Sequence, residues 1–83
     1  MITDVQLQEK ILLEIARLSQ QLTNGTVPPE AQYAAQVVGI VINMLVSLLM
    51  EKIDIEEFLV LSMKICHLSV GLYYQELFKE YIS

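Results

Sequence analysis

The sequence predicts an all-α fold of three helices, on three observations. No stretch sustains the polar–apolar alternation of a half-buried strand. Apolar residues instead recur at three- and four-residue spacings, and each such segment carries helix punctuation at its ends. The 83 residues are 54% hydrophobic with 18% charged, a composition that excludes disorder and fits one small domain over 1–83.

The first helix is expected over about 4–22. Thr3 and Gln6 have capping-box spacing, and Ile2 with Leu7 has hydrophobic-staple spacing. Leu7, Ile11, Ile15, Leu18 and Leu22 form its apolar stripe, which Leu12 widens. Glu9, Lys10, Glu14, Arg17, Gln20 and Gln21 are assigned to the polar surface. Thr23-Asn24-Gly25 ends it, because Asn and Gly accept the left-handed C-cap conformation.

The second helix is expected over about 29–51. Pro28-Pro29-Glu30 opens it, since proline needs no donor in a first turn and an acid there suits the dipole. From Ala31 to Met50 there is no charge. A helix apolar on nearly every face must be enclosed by protein or by lipid. Gln32, Gln36, Asn43 and Ser47 share one narrow face with Gly39. One amide in an apolar seam can fix register and oligomeric state.

The third helix is expected to run unbroken over about 55–81. Asp54 with Glu57, and Ile53 with Phe58, repeat the cap and staple spacings. Phe58, Leu61, Ile65, Leu68 and Leu72 repeat at 3-4-3-4, and a second seam lies beside them. The short turn makes helices two and three an antiparallel hairpin. Tyr74, Phe78 and Tyr81 share a face and are expected on an overhang beyond the reach of the second helix.

Composition excludes several functions. Net charge is −5 and the isoelectric point about 4.6, so no electrostatic footprint for nucleic acid exists. One cysteine excludes a disulfide scaffold and a multi-cysteine zinc site, and fits a reducing compartment. The first residues have neither a basic nor an apolar leader region, so the expected location is cytoplasmic. Asn24-Gly25-Thr26 fits the glycosylation pattern but reads as a turn in that setting.

Candidate chemistry is sparse. Cys66 and His67 are adjacent, so on a helix they point about 100° apart and suit neither a metal nor a nucleophile–base pair. Glu51, Asp54, Glu56 and Glu57 cluster at a turn without the length or glycine of a calcium loop. No catalytic residue, metal or cofactor is therefore expected. The expected function is non-enzymatic: a homodimer or higher oligomer acting as an adaptor, regulatory subunit or inhibitor of an unidentified protein partner. Its interface is assigned to Gln36, Gly39, Asn43, Ser47, Tyr74, Phe78 and Tyr81. The alternatives are a membrane protein whose second helix spans the bilayer, and a small-molecule binder with its ligand near Asn43.

Overall fold

The computed structural model describes residues 4–23 and 29–82. Among them lie four α-helices: α1 Val5–Thr23, α2 Gln32–Leu49, α3 Ile55–Cys66 and α4 Leu68–Leu77. Single 3-10 turns cover Pro29–Ala31 and Lys79–Tyr81, and the described residues contain no strand. The all-α expectation holds.

Local chemistry sets the helix ends. Asp4 Oδ1 accepts from the Leu7 amide at 3.1 Å, so the acid at the head of α1 satisfies an orphan donor. Thr3 and Ile2, expected to supply cap and staple, lie outside the described residues, as do Asn24, Gly25 and the connector to Pro28. α2 ends at Leu49, two residues before the expected 51, in a Schellman arrangement. The Lys52 amide donates to the Ser47 carbonyl at 2.9 Å and the Glu51 amide to Leu48 at 3.1 Å. Glu51 takes the left-handed position usual for glycine, at φ 59°. Asp54 caps α3 as its spacing with Glu57 predicts, accepting from the Glu57 amide at 2.7 Å.

The main correction concerns the third helix. It does not run unbroken over 55–81; it breaks at His67, with φ 74° and ψ 164°. That region is otherwise kept for glycine, and a side chain there costs about 1–3 kcal/mol. The chain folds back so that α4 packs on α3. The return buries Tyr74 and Phe78 to 3% and 0% exposure. Each large side chain removed from water contributes about 1.5–3 kcal/mol, so two of them outweigh the bend. Gly71 makes the return possible, because a Cβ there would overlap Met63 Cγ across the two helices.

α1 packs on α2, α2 touches α3, and α3 carries α4. α4 then reaches back to α1: Lys10 Nζ lies 3.4 Å from the Leu77 carbonyl oxygen, and the Arg17 guanidinium 6.0 Å from the Tyr73 ring centroid. A single chain thus closes a ring of four helices around Ile11, Leu45, Leu48, Phe58 and Phe78. The break supplies from within the fourth helix that a three-helix chain would have lacked. Leu12, expected to widen the stripe of α1, faces outward instead, as does Leu13.

Candidate interaction surface

Two groups of residues bear on function, and they lie on different parts of α2 and α4. Val41, Met44, Leu45 and Leu48 turn one side of α2 into the core. The opposite side carries Gln36 and Asn43, both exposed, with Gly39 and Ser47 half-buried beside them. The structure therefore brings these four expected residues onto one outward face. Ser47 Oγ donates to the Asn43 carbonyl at 3.0 Å, a bond made within the helix. A Cβ at Gly39 would meet nothing within 4 Å. Ile40, Val46 and Met50 flank this stripe, all exposed, with Ile40 at 42%. No side chain between Ala31 and Met50 carries charge. The face is mixed amide and aliphatic, electrically neutral and open.

Tyr74, Phe78 and Tyr81 are placed differently. The expected overhang does not exist, because α4 folds back. Tyr74 and Phe78 stack at 6.2 Å and both meet Phe58 edge to face. Tyr81 is half-buried, with Lys10 Nζ 5.5 Å from its ring centroid. These aromatics hold the core of the chain that bears them.

Sequence reasoning missed Glu14, assigned to the polar surface but only 5% exposed. Both its oxygens take hydrogen bonds from Arg17, at 2.6 Å from Nε and 3.0 Å from Nη2. Burial pushes its carboxyl up, but Arg17 and the hydroxyls of Tyr74 and Tyr73 outweigh that and hold it below its usual value. The same burial, with Glu14 alongside, pushes the Tyr74 phenol up, so it stays a neutral donor. The signal was in the spacing: Leu7, Ile11, Glu14 and Leu18 fall at 4-3-4, which puts Glu14 in the stripe.

Beside this cluster a groove of about 350 Å³ opens between α1, α2 and α4, with Val37, Val41, Val70 and Tyr73 among its walls. Cys66 lines it, but burial pushes its thiol up, so it is protonated and chemically quiet at neutral pH. Arg17 at the rim is already engaged by Glu14. A wider depression of about 620 Å³ lies at the turn between α2 and α3, bordered by Glu51, Asp54 and Glu57. Among the described residues no group of three His, Cys, Asp or Glu side chains could hold a metal ion.

The chain matches no family model, and no curated protein and no solved structure is significantly similar to it.

Proposed function

We propose that this is a non-enzymatic helical protein that works through protein–protein contacts, with α2 pairing against a second copy. In this reading α2 and α3 form the antiparallel hairpin expected from the short turn, and pairing of two hairpins extends the bundle. The observation that carries it is the outward face of α2. It is uncharged from Ala31 to Met50 and exposes Ile40, Val46 and Met50 around Gly39. Exposed aliphatic side chains on a neutral face suit an interaction site, and the open space at Gly39 lets a second backbone approach. Asn43 then enters a dry seam and fixes its register. The expected location stays cytoplasmic. Sedimentation equilibrium at micromolar concentration is the test, and a 9.5 kDa monomer would overturn the reading. Ile40→Glu places a charge in the neutral face and should disperse the dimer while leaving the helix content intact.

One observation favours a second reading. Pro29–Leu49 is 21 residues long, apolar enough to cross a membrane, and buried along one side only. Crossing would strip α1 and α3 from Val41, Met44, Leu45 and Leu48, so the cost falls on the packed side of the helix. Purification without detergent separates the two readings: a protein soluble in buffer alone excludes the span.

A further inference from the structure

We propose that α4 is exchanged between two copies of this chain, by opening of α3 and α4 at His67 into one continuous helix. Each copy's α4 would then dock on the α1 and α3 of the other. The inference goes beyond the α2 contact and does not depend on it. One residue, His67, separates α3 from α4, and it holds φ 74° and ψ 164°, where a side chain is strained. No side chain caps the start of α4, so its first amides lack the partners that carbonyls of α3 would supply in a straight helix. The seam Phe58, Leu61, Ile65, Leu68 and Leu72 runs through the bend with its 3-4-3-4 spacing unbroken. That spacing suits a straight helix as well as the bend, and the contacts made beyond His67 select the bend.

Those contacts can be made between chains as well as within one. Tyr74 meets Phe58 at 5.2 Å, the Tyr73 ring centroid lies 6.0 Å from the Arg17 guanidinium, and the Leu77 carbonyl accepts from Lys10 Nζ at 3.4 Å. In the exchanged dimer the same groups pair across the two copies. The closed and exchanged forms therefore differ mainly at the hinge and in the entropy of association. Straightening relieves two strained residues per dimer and restores helical hydrogen bonds at both. Short hinges under strain are the sites where exchange of an identical element occurs. The closed form prevails in dilute solution and the exchanged form gains with concentration.

The test compares wild type, His67→Gly and His67→Ala after refolding from denaturant at high concentration, because α4 must leave the core to exchange. Glycine accepts the bend without strain and weakens a straight helix, whereas alanine does the reverse. Dimer dissociation constants from sedimentation should rise from Ala to His to Gly, with the two variants at least about tenfold apart. In a dimer of mixed isotopic labelling, the Phe58–Tyr74 contact should appear between chains. Equal dissociation constants for both variants, a Phe58–Tyr74 contact confined within chains, or no dimer in any of the three would overturn the proposal. Ile40→Glu separates it from the α2 reading. That charge leaves an exchanged dimer intact and disperses one built on α2, while the His67 series leaves an α2 dimer unmoved.

Discussion

Phe58 and Tyr74 meet edge to face, their centroids 5.2 Å apart and their planes at 82°, across the bend at His67. Phe78 joins them, 6.2 Å from each ring and fully buried. Truncating Phe78 to Ala should cost about 3–5 kcal/mol, from lost transfer energy and the cavity left behind. Urea unfolding measures this. A loss below about 1 kcal/mol together with weaker self-association would return Phe78 to an interface, against its burial here.

Stability should fall on acidification in a window set by Glu14. Its carboxyl lies below the ordinary 4.5 in the folded chain, so the unfolded state binds a proton first as pH drops. The contribution of Glu14 is therefore complete above about pH 4.5 and is lost as pH falls through its folded value. Glu14→Gln should flatten the pH dependence of unfolding below that point. An unchanged slope would mean that the other carboxylates carry it.

The cap of α3 was legible in the residues, and the tertiary return was not. Asp54 with Glu57 and the charge-free run of α2 follow from short-range chemistry, which a sequence states directly. The break at His67 follows from contacts between Phe58, Tyr74 and Phe78, on two sides of the bend. His67, Ser69, Val70 and Gly71 are weak helix formers placed together, and this was the available signal. An unbroken seam masks it, because the hydrophobic period of a straight helix and of one folded back at one residue is the same. Glu14 was misread for a related reason: a charged residue in an apolar stripe stays buried only when it is paired, here by Arg17 through both carboxylate oxygens, with Tyr73 and Tyr74 of α4 brought close by the return.

Removing the cap of α3 should be felt despite its exposure. Asp54→Ala leaves the Glu57 amide without its 2.7 Å partner and should cost about 1 kcal/mol. Asp54→Asn, which keeps an accepting oxygen, should recover most of it. Thermal melts of the pair check this, and equal losses for Ala and Asn would assign the effect to charge at the helix start.

Asn43→Leu distinguishes a register role from simple exposure. Asn43 is exposed in the single chain, so the substitution should keep or raise thermal stability. If α2 pairs with a second copy through this face, the oligomer distribution should broaden as the register signal is lost. Native mass spectrometry reads the distribution. A large fall in stability with unchanged stoichiometry would contradict the register role.

Two glycines should respond in opposite ways to the same methyl group. In an open helix Gly→Ala stabilises by about 1 kcal/mol, by reducing the freedom of the unfolded chain. Gly39 has open space around it, so Gly39→Ala should show that gain in the monomer. Gly71 faces Met63 across the α3–α4 contact, where a Cβ would overlap the side chain. Overpacking typically costs about 1–3 kcal/mol, which exceeds the helical gain, so Gly71→Ala should destabilise. Met63→Ala removes the Cγ that a Cβ at Gly71 would overlap, and a double-mutant cycle isolates that contact: the cost of Gly71→Ala should shrink or change sign in that background. An equal cost in both backgrounds would mean that the two helices do not meet at this pair, and the close crossing that makes the return at His67 possible would have to be abandoned.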